Sequence, residues 1–230
     1  AQLDSLLASL LEEPVTVGLA DPRNAMPRNR QLSHAHVAAV LRLLSYSPQT
    51  AALLPLLIDA AGSGNLAPLA AQVEMITSDL ESELSLPMHN AVVCTEDVPF
   101  FAATTPPEIE TTYLGTTLID ALRAVCGVWP RGVLDPDLRE PLRSDRPALL
   151  LSGDSDPITP PDYAEQVLVG LSNARHIVGP GQGHGLASVG CVPRLMRDFL
   201  DTLEPGSLEA TCLERQQASP FFLDFNGPAP

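Results

Sequence analysis

Apolar positions recur every three or four residues through most of the first 85 residues, then give way to short unbroken apolar runs. Leu3, Leu6, Leu7, Leu10 and Leu11 form one stripe, which predicts an amphipathic helix ending near Glu13. Val15-Thr16-Val17-Gly18-Leu19 alternates as a strand, and Asp21-Pro22-Arg23-Asn24 reads as a turn, so a small hairpin with a partner near Asn29 to Leu32 is expected. Ser33 is placed to cap a helix carrying Val37, Val40, Leu41 and Leu44 on one face. Ser47-Pro48 starts a further helix, expected to run to Ala61 and stop at Gly62 and Gly64, and another is expected from about Leu66 to Leu84.

The texture changes at Met88. His89-Asn90-Ala91-Val92-Val93-Cys94 reads as a short strand, followed by a helix through Leu118, Ile119, Leu122 and Val125. Then come a strand from Ala148 to Leu151, a helix from about Pro161 to Leu171, a strand from Arg175 to Val178, and a helix from about Leu186 to Leu203. Strands alternating with helices imply βαβ units and a parallel sheet. The fold class expected is therefore α/β: the carboxyl-terminal part of a parallel sheet with flanking helices, plus a mostly helical cap. The expected divisions are a cap at residues 1–87, a core part at 88–204 and a tail at 205–230, pinned by Phe221, Phe222 and Phe225. Three parallel strands are few, and an open sheet edge carries unpaired backbone groups. Further strands are therefore expected upstream.

Charge narrows the partners. Asp and Glu number 28 against 13 basic residues, all of them Arg, for a formal net charge of −15. A nucleic-acid partner is not expected, because phosphate binding needs a basic footprint. The acidity fits a solvated surface, and also attraction of a cationic group such as a peptide amino terminus. No apolar run is long enough to span a bilayer; the longest, Ala51 to Ala61, is broken by Pro55 and Asp59. Ala1-Gln2-Leu3-Asp4 has no secretory signal character, so an exported parent would carry its signal upstream. Cys94, Cys126, Cys191 and Cys212 form no Cys-x-x-Cys pair and have no His at finger spacing, so no metal site is expected. An even count fits two disulfides and an oxidising compartment, and four buried thiols almost as well. Spacing leaves three pairings open; Cys94 with Cys126 and Cys191 with Cys212 is the preferred one.

The residues with chemical promise lie in two loops. The strand ending at Leu151 delivers Gly153-Asp154-Ser155-Asp156-Pro157-Ile158-Thr159-Pro160, and the strand ending at Val178 delivers Gly181-Gln182-Gly183-His184-Gly185. An acid and then a histidine, each just beyond a strand, is the chain order of the last two members of a Ser…Asp…His triad in α/β-hydrolases. Asp156 is preferred to Asp154 because Asp-Pro-Ile-Thr-Pro turns directly into the next helix. Gly183 and Gly185 are expected to adopt positive φ and hold the His184 ring out of the loop. His176, inside a strand, reads as structural; His34 and His36 open a cap helix and read as non-catalytic; His89 is unassigned. Glu96 and Asp97, expected at a strand's carboxyl end, are candidates for binding a substrate ammonium group, or are capping acids.

The nucleophile is missing from this pattern. No Gly-x-Ser-x-Gly occurs. Ser155 is followed two residues later by Pro157 instead of the elbow's last glycine, and Ser172 follows a helix instead of a strand. The expectation is that the serine and the oxyanion loop lie on a separate amino-terminal segment.

Several further motifs carry a family resemblance: Leu43-Leu44-Ser45-Tyr46-Ser47-Pro48, Leu54-Pro55-Leu56-Leu57-Ile58, Val92-Val93-Cys94-Thr95-Glu96-Asp97-Val98-Pro99, Val128-Trp129-Pro130, the two loops above, and Cys191-Val192-Pro193 with Cys212-Leu213. With these the chain, from about Leu10 to Gly227, resembles the carboxyl-terminal half of tripeptidyl-aminopeptidase-like (TAP-like) α/β-hydrolases, secreted bacterial relatives of proline iminopeptidase. The resemblance implies Asp156 as triad acid, His184 as general base, a cap over the site, no cofactor, and a secreted or cell-envelope location. By analogy with cap-side carboxylates of proline iminopeptidases, Glu96 is the candidate amine anchor and Asp97 the second. The implied activity is removal of short peptides from free amino termini. The alternatives are a carboxylesterase acting on small esters, a non-catalytic remnant serving as a binding module, or a chain that has recruited Ser155 as its own nucleophile.

Overall fold

The leucine stripe at the amino terminus forms helix α1 (Gln2–Glu12), with Leu7 and Leu10 buried. The structure is a computed structural model and describes residues 2–228. Strands β1 (Val15–Ala20) and β2 (Pro27–Leu32) pair antiparallel, Val15 opposite Leu32 and Ala20 opposite Pro27. Helix α2 (His34–Leu44) starts at Ser33, whose hydroxyl accepts the His36 N–H at 3.4 Å, and it buries Val37, Val40, Leu41 and Leu44 as its spacing requires. The next expected helix is two pieces, α3 (Pro48–Ala51) and α4 (Leu54–Gly62). Pro55 is the reason: without an N–H it cannot continue α3, but it fits the first turn of α4. Helix α5 (Ala67–Glu83) packs on β1 and β2, and Arg28 and Arg30 of β2 lie 3.0 and 3.3 Å from its buried Glu74.

One expectation fails outright. Residues 89–94 are not a strand but the body of helix α6 (Leu86–Glu96). The β-branched pair Val92-Val93 suggests a strand locally, yet Ser85-Leu86-Pro87 is a helix start. Asn90, Val93 and Cys94 share the inner face at helical spacing. Helix α7 (Pro107–Glu110) is a single turn, and α8 (Thr117–Cys126) packs on α6, joined to it by the Cys94–Cys126 disulfide. Tertiary pairing thus outweighs local β propensity here.

The remaining residues form the sheet and its cover. Strands β3 (Ala148–Gly153) and β4 (Ala174–Gly179) are parallel, with Leu150 opposite His176 and Gly153 opposite Gly179. The described residues therefore give two parallel strands where three were expected. Helix α9 (Pro161–Leu168) connects them and packs on both. On the other face Leu149, Leu151 and Ile177 meet Leu186, Val192, Leu195, Leu208 and Leu213. The long helix expected after His184 is broken into a 3-10 turn at Leu186–Ser188 and helix α10 (Val192–Thr202), separated by Gly190 at φ +50°. A second disulfide, Cys191–Cys212, ties the start of α10 to the tail, so both bonds follow the preferred pairing. The tail is held by Leu208 and Leu213 in the core and by half-buried Phe222, whose N–H donates to Ala52 O at 3.0 Å; Phe221 and Phe225 do not pin it, being 62% and 59% exposed.

Two units result. One contains residues up to Leu43 and from Leu57 to Leu138, and the other contains Leu44–Leu56 and the chain from Arg139. The helical unit thus takes in residues 88–138, and a short upstream segment around Tyr46 belongs with the sheet.

Candidate active site

The carboxyl ends of β3 and β4 place their loops side by side. Gly153 N-terminal to one loop and Gly183 in the other make the approach possible. A Cβ on Gly153 would run into the carbonyl oxygens of Gln182 and Gly183. A Cβ on Gly183 would run into the carbonyl oxygen of Tyr46. Gly183 is thus required for closeness and not for positive φ, which Gly185 does adopt at +91°. The loops are cross-linked through backbone: Ser155 N–H donates to Gln182 O at 2.9 Å, and Asp154 N–H to Gly179 O at 3.1 Å. Asp154 Oδ1 accepts from Gly181 N–H at 2.8 Å and from the Ser155 hydroxyl at 2.9 Å. Asp154 is therefore a loop staple, and Ser155 directs its proton to that staple.

Asp156 and His184 meet. His184 Nδ1 lies 3.0 Å from Asp156 Oδ2, across 28 positions of sequence. The carboxyl side chain is 3% exposed and the imidazole 43%. Oδ1 accepts the backbone N–H groups of Ile158 at 2.8 Å and Thr159 at 3.0 Å, and Oδ2 accepts the Thr159 hydroxyl at 2.8 Å. Burial pushes the Asp156 pKa up. The backbone donors at Thr159 and Ile158, the Thr159 hydroxyl and His184 together outweigh it and lower the pKa from 3.8 to about 2. At neutral pH this acid is ionised and only accepts, so His184 presents Nδ1–H to it. Nε2 then carries the lone pair, and no described residue hydrogen-bonds to it.

The ring is moored from upstream. His184 N–H donates to Tyr46 O at 2.6 Å, and the two rings meet edge to face with centroids 5.5 Å apart. The sequence offered Tyr46 only within a resemblance motif and gave no sign of this contact, because a backbone carbonyl leaves no trace in residue type. His176 is structural, as its strand position suggests. It is buried between Glu165 Oε1 at 2.6 Å and Ser152 Oγ at 2.9 Å, on the α9 side of the sheet.

Residues 111–212 match a protein-family model described as TAP-like protein. That stretch is similar to the TAP-like α/β-hydrolases. No curated protein and no solved structure matches the chain. The matched span includes Asp156, His184 and the Cys191–Cys212 pair, while Tyr46, Cys94, Glu96 and Asp97 lie before it. Glu96 ends α6 and Asp97 is its C-cap, so neither stands at a strand's end as expected; both are exposed. Among the described residues no group of three or more His, Cys, Asp or Glu is placed to hold a metal ion, and no helix is long and apolar enough to cross a membrane.

Proposed function

We propose that the chain supplies the acid and base of a serine hydrolase whose nucleophile lies on polypeptide outside these 230 residues. The observation that carries this reading is the Asp156–His184 contact. A buried, ionised carboxylate faces Nδ1–H at 3.0 Å, and the imidazole's other nitrogen is without a partner among the described residues. Such a ring takes a proton at Nε2 from a serine hydroxyl as the oxygen bonds to the acyl carbon. It then returns that proton to the departing amine or alcohol. Water repeats the cycle on the acyl-enzyme, and Asp156 stabilises the imidazolium formed each time.

The proposed substrates are peptides with a free amino terminus. This follows from the resemblance to peptide-releasing hydrolases, and the net charge of −15 favours cationic amino termini. Glu96, with Asp97 second, is the proposed anchor for the ammonium group, on the resemblance alone. The pair serves ester cleavage equally well, so a carboxylesterase is the alternative; comparing turnover of an amino-terminal tripeptide anilide and a short-chain aryl ester decides between them. Two disulfides fit an oxidising compartment, and a secreted or cell-envelope location is proposed.

The test uses the protein purified together with any chain that accompanies it. A fluorophosphonate probe is expected to label a serine outside the present sequence, and His184→Ala is expected to abolish labelling. Undiminished labelling of that variant refutes the assignment. No labelling of the unaltered assembly points to a non-catalytic binding module.

A further inference from the structure

We propose that Thr159 is a positioning residue that holds the Nδ1 proton of His184 in place; this rests on the reading of His184 as general base. The Thr159 hydroxyl lies 2.8 Å from Asp156 Oδ2 and 3.2 Å from His184 Nδ1. A hydroxyl has one proton and two lone pairs. Asp156 is ionised at neutral pH and only accepts, so the hydroxyl proton points to the carboxylate. The contact to His184 is then favourable only if Nδ1 carries hydrogen and Oγ1 accepts it. The Nδ1 proton is thereby shared between Asp156 Oδ2 and Thr159 Oγ1. With the proton on Nε2 instead, the Nδ1 lone pair would face oxygen lone pairs from both residues. Thr159 and Asp156 thus specify the same tautomer, the one that leaves Nε2 basic.

The backbone aims this hydroxyl. Asp156 precedes Pro157 and Thr159 precedes Pro160, so both are restricted to the extended basin. The Thr159 N–H is also fixed on Asp156 Oδ1 at 3.0 Å. Little freedom remains to be lost when Oγ1 takes up its two partners, which favours the arrangement although Thr159 itself is exposed.

The experiment is nitrogen-15 NMR of histidine-labelled full 230-residue chain, and needs no turnover. Neutral His184 is expected to be protonated on Nδ1. Loss of one shared hydrogen bond in Thr159→Val is expected to speed solvent exchange of that proton about fivefold. Thr159→Ser, which keeps the hydroxyl, is expected to match the unaltered chain. A ring protonated on Nε2, or equal exchange in Thr159→Val and the unaltered chain, overturns the proposal. Thr159→Ala gives the same comparison if the valine variant does not fold. In the assembled hydrolase, Thr159→Val is expected to lower kcat about fivefold with KM unchanged, restored by Thr159→Ser. A protected Nδ1 proton in a chain whose assembly takes up no fluorophosphonate would leave Thr159's role standing and remove the hydrolase reading.

Discussion

Replacing Asp156 by Asn should remove a specific, pH-dependent part of the stability of the sheet-bearing unit. The carboxyl group is held at about 2 against an ordinary 3.8, a difference equivalent to about 2 kcal/mol. The sign follows from proton counting. A depressed pKa means that the unfolded chain binds the proton first as pH falls. The stabilisation is therefore complete above about pH 5 and shrinks through pH 4 and 3, with roughly 1 kcal/mol gone by pH 3. Asparagine keeps an Oδ1 to accept the Ile158 and Thr159 N–H groups, but puts an NH2 where Oδ2 accepts from Thr159 and His184. The variant should fold, be less stable than the original by about 2 kcal/mol at pH 6, and lose this titration. Urea unfolding of both proteins at pH 6, 4 and 3 measures it, with the difference between them cancelling the other acids. The gap should narrow by about half at pH 3. A gap that stays constant across that range would refute the claim that these donors hold the carboxylate ionised.

Two further outcomes probe the surroundings of the pair. Gly183→Ala places a methyl group against the Tyr46 carbonyl oxygen, and is expected to cost about 2 kcal/mol and to speed hydrogen exchange at the His184 amide; unchanged exchange would show that the loop yields freely. Replacing Cys191 and Cys212 together by Ala opens a loop spanning 21 positions and is expected to lower unfolding stability by about 3 kcal/mol, read by urea unfolding under non-reducing conditions.

The meeting of Asp156 and His184 was legible because each lies in a loop just beyond a strand, although the loop after β3 holds two acids. Asp154 was the open alternative. Its bonds to the adjacent Ser155 hydroxyl and, across the two loops, to the Gly181 N–H occupy its Oδ1 away from the ring. Helix α6 was misread because Val92-Val93 carries strand propensity, whereas the deciding partner, α8 with Cys126, is distant in sequence. That error also moved Glu96 and Asp97 from a supposed loop after a strand to a helix end. The tail illustrates the limit of composition: aromatic residues near a terminus suggested anchoring, but Phe221 and Phe225 are exposed, and Leu208, Leu213 and the Phe222 N–H on Ala52 O hold it. Tyr46 stood in the sequence only as part of a resemblance motif; its contacts with His184, a main-chain oxygen and an edge-to-face ring, join segments far apart in sequence and have no local signal.

That oxygen bears on where this chain is divisible. The span matched by the TAP-like family begins at residue 111, well after Tyr46, and a helical cap drawn at residues 1–87 would carry Tyr46 away with it. A recombinant piece trimmed to either limit would keep the imidazole but strand its main-chain amide, leaving the histidine loop with only its ties to the Asp156 loop. The smallest fragment that keeps this amide contact must include the ribbon from Leu44 to Leu56, so any exchange of the helical unit has to splice around that ribbon and not through it.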